Sequence, residues 1–381
     1  MLVSRLHHKL ILLENSLANE ASQNAHVPKC TLRFCTPFAS HFSQQNEFLK
    51  KSGIPLSAAE FSELMADIGG FDGKRNVCVA VSGGADSMAL LLLASLWAKS
   101  QNAKIVALTV NHNLREEAAG EAKQVKAWCE NLGVEHHTLN WQYRAKPTAA
   151  IQETARAARY KLLTDFCLQH NISNLLTAHH AGDQAETLFF RLARGSGIIG
   201  LSAMLPVTTI NSVRLLRPLL TIRKERLIAS LQSSGQAWIE DPSNHDLRYS
   251  RVRIRKQLEA IENQEIFYER VTAICQSFAK ARKHIESLLV NYMDNNIKFH
   301  SDGSALANFT LENKSSLLPY LAVERTIKLL ANHSKPLRSE KINNLIAWLY
   351  DDHSKQKKRT LAGLIFNKRQ SGEVVIMPEI L

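Results

Sequence analysis

Val77-Cys-Val-Ala-Val81 runs directly into Ser82-Gly-Gly-Ala-Asp-Ser87, and Met88-Ala-Leu-Leu-Leu-Leu-Ala-Ser-Leu-Trp-Ala98 follows. The first piece is a continuous apolar run that reads as a buried strand, and Ser87 to Ala98 reads as an apolar helix. Between them lies a glycine pair with two hydroxyls and one carboxylate. Glycine lets the backbone come close to an anion, and the helix N-terminus supplies unpaired N–H groups and the positive end of the dipole. Ser82 and Ser87 add hydroxyl donors. Asp86 cannot meet a phosphate directly, so its natural partner there is a Mg²⁺ ion that bridges phosphate oxygens. The string is neither Gly-x-x-x-x-Gly-Lys-Ser/Thr nor Gly-x-Gly-x-x-Gly, which disfavours a Walker-type ATPase and a dinucleotide oxidoreductase. A capped glycine turn with no ligand is the plain alternative.

Working outward, the pattern repeats. Ile105 to Val110, His136 to Trp141 and Asn174 to Ala178 read as further strands, and Glu116 to Leu132, Ala149 to Gln169 and Asp183 to Ala193 as the helices between and after them. Such alternation predicts an α/β fold, a Rossmann-like parallel sheet covered on both faces. Ligands of these sheets bind beyond the carboxyl ends of the strands, here the loops at 82–87, 111–115 and 179–184. After Pro218 no further strand is read until the tail. Ile222 to Ser233 is an amphipathic helix, and the chain looks mostly helical to about residue 300. The remainder reads as a small α+β tail, with helices at Tyr320 to Ala331 and Ser339 to Tyr350. Its hairpin strands would be Leu361 to Phe366 and Glu373 to Met377, joined through Ser371-Gly372. The expected division is an extension over 1–55, a nucleotide-binding catalytic domain over 56–220, a helical RNA-binding domain over 221–300 and the tail over 301–381. Residues 1–55 are expected to be poorly ordered, with a short helix near Leu6 to Ala18 at most.

Composition narrows the class. The chain has 381 residues, 45% of them hydrophobic, enough apolar material for sizeable cores. The longest apolar stretch, Met88 to Ala98, is far short of the ~20 residues a bilayer helix requires, and Leu10 to Leu13 is too short for the core of a signal peptide. Six cysteines are scattered without a Cys-x-x-Cys pair, which fits reduced thiols in a cytoplasmic protein. The formal net charge of +12 favours a polyanionic partner. Residues 191–226 hold Arg191, Arg194, Arg214, Arg217, Arg223, Lys224 and Arg226 against the single acid Glu225. Further basic runs follow at Arg248, Arg251, Arg253, Arg255 and Lys256, and at Lys355, Lys357, Lys358, Arg359, Lys368 and Arg369. Each run alone reads as a solvated face, and together they suit an RNA backbone.

Ser-Gly-Gly-x-Asp-Ser resembles the pyrophosphate loop of the ATP-pyrophosphatase (PP-loop) superfamily, whose fold is adenine nucleotide alpha-hydrolase-like. Asn111-His-Asn-Leu-Arg115, Gln152-Glu-Thr-Ala-Arg156-Ala-Ala-Arg159-Tyr160 and Ala178-His-His-Ala-Gly-Asp-Gln-Ala-Glu-Thr187 come next. Arg194-Gly-Ser-Gly197, Arg217-Pro-Leu219 and Trp238-Ile-Glu-Asp-Pro-Ser-Asn244 complete the series. As an ordered set, over about residues 60–256, they resemble the tRNA(Ile)-lysidine synthases. The resemblance implies an ATP- and Mg²⁺-dependent ligase that adenylates the wobble cytidine of a CAU-anticodon isoleucine tRNA at C2. Free L-lysine then attacks, giving lysidine, AMP and pyrophosphate. It implies Asp86, Arg156 and Asp183 as catalytic residues, with Asp86 also at the metal. Ser82, Gly83, Gly84, Ala85, Asp86, Ser87 and His112 would hold ATP, and Arg115, His179, His180, Arg194 and Arg217 would meet tRNA or lysine. A homodimer is a further expectation, as is a cytoplasmic location.

Two positions depart from the family pattern. It carries two adjacent acids after the His-His pair, and position 182 is glycine, so Asp183 alone must do that work. It usually carries asparagine where this chain has Val252. Capping of the strand end by the histidines and of the next helix by Asp183 is compatible with either role. Arg156 and Arg159 could also be no more than a solvated helix face. The alternatives in function are another PP-loop tRNA enzyme, such as a cytidine thiolase, and a degenerate RNA-binding protein that has lost catalysis. Thiolation generally needs paired cysteines, and Cys30 with Cys35 is the only close pair.

Overall fold

Val77–Ala80 (β1) is apolar throughout because it has a strand on each side and helices on both faces: Ile105–Asn111 (β2) pairs with it on one flank and Asn174–Leu176 (β4) on the other, both parallel. The computed structural model describes residues 53–71, 76–112, 118–142, 151–240, 250–309, 317–331, 337–351 and 357–379. Glu135–Asn140 (β3) lies parallel beyond β2, one residue earlier than its sequence pattern suggests, and none of its residues is fully buried, as suits an edge strand. Beyond β4 the sheet gains two strands that the sequence reading left out, Val207–Ile210 (β5) and Val213–Leu216 (β6). β6 pairs parallel with β4, and β5 closes the edge antiparallel, so the order is β3-β2-β1-β4-β6-β5. The hairpin turns on Asn211 and Ser212, both at positive φ (48° and 64°), the geometry of a two-residue primed turn.

Three helices cover the sheet: Ala85–Gln101 (α2), Ala118–Leu132 (α3) and Ile151–Gln169 (α4). α2 buries residues all round, with Met88, Leu90, Leu91 and Leu93 within 2% of full burial, because it is packed between the sheet and two outer helices. Those outer helices are Ala58–Ile68 (α1) and Lys224–Ser234 (α7). α1 begins with a capping box between Ser57 and Glu60. The order of strand addition reverses at β1, since β2 and β3 lie to one side of it and β4, β6 and β5 to the other. The loops after β1 and β4 therefore part and leave a crevice at their carboxyl ends.

Ala181–Ala193 (α5) and the short Ile198–Leu201 (α6) lead to the helical region. Ser250–Glu259 (α8) and the 33-residue Gln264–Asn296 (α9) both pack on α5. The tail builds a second core from Leu317–Leu330 (α10), Ser339–Leu349 (α11) and a five-stranded antiparallel sheet. Its strands are Ile297–Phe299, Ala305–Ala307, Lys358–Leu361, Leu364–Lys368 and Val374–Pro378. The expected strand Leu361 to Phe366 is in fact interrupted: Ala362 and Gly363, at φ 56° and 74°, turn the chain between two strands. An alanine in a left-handed turn carries no sequence signal, so the apolar run read as unbroken. The expected helix near Leu6 to Ala18 lies outside the described residues.

Candidate active site

The glycine loop is braced from within. Ser87 donates to the Gly84 carbonyl (2.9 Å) while its oxygen accepts the Ser82 N–H (3.1 Å), and the two hydroxyls lie 3.2 Å apart. Gly84 is the N-cap of α2 and offers no side chain, so the first-turn N–H groups are left for another partner. Gly83 is needed for a reason the sequence did not reveal. Its φ is +88°, and a Cβ there would fall 2.8 Å from Ile239 Cδ1 and 3.0 Å from Val125 Cγ2. Ile239 N–H donates to the Gly83 carbonyl (2.9 Å), which draws Trp238, Ile239 and Glu240 across the loop as one wall of a cavity of about 1090 Å³.

Asp86 points into this cavity from the first turn of α2. Oδ2 lies 3.7 Å from His180 Nε2 and 4.0 Å from Lys224 Nζ, and Oδ1 is buried with no hydrogen-bond partner. An orphaned carboxylate oxygen beside free helix N–H groups suits a hard cation shared with phosphate oxygens, so the residues fit Mg²⁺. Among the described residues no three His, Cys, Asp or Glu side chains converge on a common metal position.

The loop after β4 brings His179 to the same cavity, and His180, with Nε2 3.7 Å from Asp86 Oδ2, leads to the acids of α5 beside it. His179 lies on its wall, with Nδ1 3.1 Å from the Thr177 hydroxyl. Burial, with the positive charge of Arg217, Arg156 and Arg159 and against the pull of Asp183, brings its pKa down to about 4, so the ring is neutral at pH 7. His180 caps α5, and Asp183 Oδ2 accepts the His180 N–H at 2.9 Å. Burial pushes the Asp183 carboxyl up, but His180 and His179 carry it below the usual carboxylate range. Three residues along the same helix face stands Glu186, buried, which accepts a hydrogen bond from Arg255 Nε of α8. Arg255 also reaches to 3.9 Å from Asp183 Oδ1. Burial raises the Glu186 pKa against the pull of Arg255.

On α4 the two arginines differ in placement. Arg156 is exposed, donates to the Tyr160 hydroxyl (3.3 Å) and stacks on its ring at 5.0 Å. Arg159 lies on the cavity wall, where burial lowers its pKa. Opposite it His112, after β2, stands edge-on to Trp141 with Nδ1 buried and unpartnered. Burial and then Arg159 depress its pKa. Arg115, the segment 241–249 and the Gln152 side chain lie outside what is described.

The basic runs turn out otherwise than expected. Arg191 donates to the carbonyls of Gly200 and Ala203, and Arg214 to those of Gly69 and Gly70. Arg217, 8% exposed, donates to the Leu205 carbonyl (2.7 Å) and the Thr208 hydroxyl (3.1 Å). Arg223 pairs with Glu225, and Arg226 is sealed inside against Glu60. These five tie segments of the fold together, so the imbalance of 191–226 is not a free phosphate-binding face. Arg217 still leaves Nε buried without a partner near the cavity's positive wall. Arg194, exposed and stacked on Phe190 at 4.1 Å, does not line the cavity. Arg255 belongs to the acid cluster, and in the tail Arg359 and Lys368 flank the Trp348 ring at 5.7 and 5.0 Å. Glu186 and the Trp238–Glu240 wall are the site residues that sequence reasoning left without a role, and Lys224 and Arg255, read there as part of basic runs suited to RNA, instead face the carboxylates of Asp86, Asp183 and Glu186. For Glu186 a signal existed, its i,i+3 spacing from Asp183.

Comparison with known proteins agrees with this geometry. Residues 55–261 match the family described as PP-loop domain. The tRNA(Ile)-lysidine synthase of Orientia tsutsugamushi (strain Boryong) is 33% identical over 313 residues, 80% of this chain and 70% of that one. Its counterpart from Bradyrhizobium sp. (strain BTAi1 / ATCC BAA-1182) is 46% identical over 204 residues, 53% of this chain. The match spans only 56% of that Bradyrhizobium protein's length. Among solved structures, the U34-tRNA thiolase NcsA from Methanococcus maripaludis with its [4Fe-4S] cluster superposes with a TM-score of 0.51. At 15% identity, over 59% of this chain and 80% of that one, it speaks for the fold alone.

Proposed function

Because the chain belongs to the tRNA(Ile)-lysidine synthase family of PP-loop proteins, we propose that it ligates free L-lysine to C2 of the wobble cytidine in a CAU-anticodon isoleucine tRNA, with ATP split to AMP and pyrophosphate. The observation that carries this reading is the unpartnered Asp86 Oδ1 at an uncapped helix N-terminus, in one cavity with the neutral His179 and beside the acid cluster of α5. Mg²⁺ at Asp86 would neutralise charge on the phosphate oxygens. The loop N–H groups and the Ser82 hydroxyl bind the phosphates, and Arg159 faces the negative charge that develops as the cytidine oxygen is adenylated. Asp183 and Glu186 hold the amine, Arg255 keeps the two acids from repelling one another, and the neutral His179 can accept the proton that the nitrogen sheds once its lone pair has bonded to C2 and AMP departs. The net charge of +12 supports a tRNA partner. Thiolation has less support, since the described cysteines are all buried and free, with burial raising the Cys129 and Cys275 thiols to about 12 and about 11.

The test is single-turnover incubation with ATP, Mg²⁺, radiolabelled lysine and CAU-anticodon isoleucine tRNA. Label in the tRNA together with AMP is the expected result. AMP without lysine incorporation would point to another nucleophile, and tRNA binding without AMP would leave only an RNA-binding role. Two substitutions refine the picture. Glu186→Gln should raise the lysine KM about tenfold with the ATP KM unchanged, the effect of one lost hydrogen bond to a charged group. Arg159→Ala should slow AMP formation on the order of 10²-fold, while the exposed Arg156→Ala costs less than about tenfold. The reverse order would return the charge-offsetting role to Arg156.

A further inference from the structure

The proposed activity needs a nucleotide on the loop after β1 and an amine at the acids of α5, and one imidazole stands between the two. His180 Nε2 is 3.7 Å from Asp86 Oδ2 and 3.6 Å from Asp183 Oδ2. The ring is 6% exposed, and Nδ1 accepts the Gly182 N–H at 3.0 Å. With Nδ1 an acceptor, the proton of the neutral ring resides on Nε2, where it faces both carboxylates.

We propose that Gly182 is the seat of this ring, and that His180, lying across it, is a positioning residue that fixes the orientation of Asp86 toward the metal and nucleotide. The inference rests on the function proposed above and adds a residue pair to it. Gly182 is not at positive φ, so its own backbone does not demand glycine. The neighbouring ring does. A Cβ at position 182 would stand 2.7 Å from His180 Cε1 and 3.0 Å from Nδ1, closer than carbon atoms pack. Any side chain there displaces the imidazole. A carboxylate torsion is soft and two-fold, so a lone Asp86 would turn freely. Held between His180 Nε2 and Lys224 Nζ on Oδ2, it keeps Oδ1 buried and open for the cation. Groups that orient a metal-binding carboxylate in this manner matter nearly as much as the carboxylate itself. The glycine is therefore more than a lost acid. In this chain an aspartate at 182 would unseat the histidine, and restoring the family's second acid should harm the site.

The test uses the full chain with Gly182→Ala, Gly182→Asp, His180→Asn and the Gly182→Ala/His180→Asn double variant. Binding of a non-hydrolysable ATP analogue is measured by calorimetry with and without Mg²⁺. In the parent Mg²⁺ should tighten binding. In both Gly182 variants that gain should shrink about tenfold, with metal-free affinity unchanged. Their melting temperatures should stay within a few degrees of the parent's, because the better helix preference of alanine and aspartate offsets the lost His180 cap on the Gly182 N–H. The double variant should be no worse than His180→Asn alone. Histidine ¹⁵N spectra of the ligand-free protein should show the Nε2–H tautomer for His180 in the parent and its loss in Gly182→Ala. An unchanged His180 signal in Gly182→Ala, additive effects in the double variant, or a Gly182→Asp protein with a stronger Mg²⁺ response would overturn the proposal. If these differences hold while lysine is never incorporated, the lysidine reading fails and the positioning role stands.

Discussion

Asp86→Asn is expected to cut ATP-dependent AMP formation on the order of 10²–10³-fold, the scale for removing one preorganised charge from a phosphoryl or acyl site. Asparagine keeps the shape and removes the anion. The variant should fold as well as the parent, because Oδ1 has no protein partner to lose and the Oδ2 contacts to His180 and Lys224 are long, at 3.7 and 4.0 Å. A carboxylate oxygen kept buried without a hydrogen-bond partner is a stability cost tolerated for function, so the melting temperature should stay level or rise slightly. The measurement is AMP release by thin-layer chromatography beside a thermal melt. An Asp86→Asn protein that keeps more than about a tenth of the parental rate would remove Asp86 from the chemistry, since loss of a preorganised charge costs more.

The second large effect concerns the fold. Arg226 is fully buried, and its guanidinium donates to the carbonyls of Ile54 (3.0 Å) and Pro55 (3.2 Å) and to Glu60 Oε2 (2.8 Å). With the Ser230 hydroxyl accepting the Leu56 N–H at 2.8 Å, it ties the chain before α1 to α7. Arg226→Met removes the cation facing the largely buried Glu60 carboxylate and the donor to two carbonyls, and breaking such a pair on one side costs about 3 kcal/mol, the low end for a buried pair. For a domain of this size that is a drop in Tm of about 10 °C. α7 also carries Lys224, which faces Asp86, so loosening its anchor should weaken nucleotide binding as well. Converting Glu60 to leucine in the same protein should recover part of the loss, because a well-packed apolar pair often matches a buried ion pair. A melt of Arg226→Met unchanged from the parent would show that the anchor contributes nothing.

Much of the site was legible before any coordinates, and the reason is that its signals are local. An apolar run followed by Ser82-Gly-Gly-Ala-Asp-Ser87 and a helix is readable because strand, turn and helix N-terminus are consecutive, and the physics of anion binding acts over those few residues. The alternation of strands and helices likewise dictates a parallel sheet with its ligands at the strand ends. The placing of Asp86, Ser87, His112 and His179 on one cavity follows from that alone.

What charge counting could not reveal is where each guanidinium ends. Arg226 meets partners more than 160 positions away, Arg214 reaches back to Gly69 and Gly70, and Arg255 crosses from α8 to Glu186. A buried arginine and an RNA-facing one look alike in sequence, because long-range packing decides which carbonyl or carboxylate lies within reach of the side chain. The Asn211-Ser212 hairpin and the Ala362-Gly363 turn rest on left-handed φ values that non-glycine residues adopt only when flanking strands hold them. Gly182 is the sharpest case: in sequence it is an acid that is absent, and in the folded protein it is the space that the His180 ring occupies. The sequence by itself determined the four parallel strands β1 to β4, the anion loop and the residues gathered at its mouth. Only the tertiary structure decided which of the charged groups face the cavity and which hold the chain together, since that choice depends on distances between segments far apart along it.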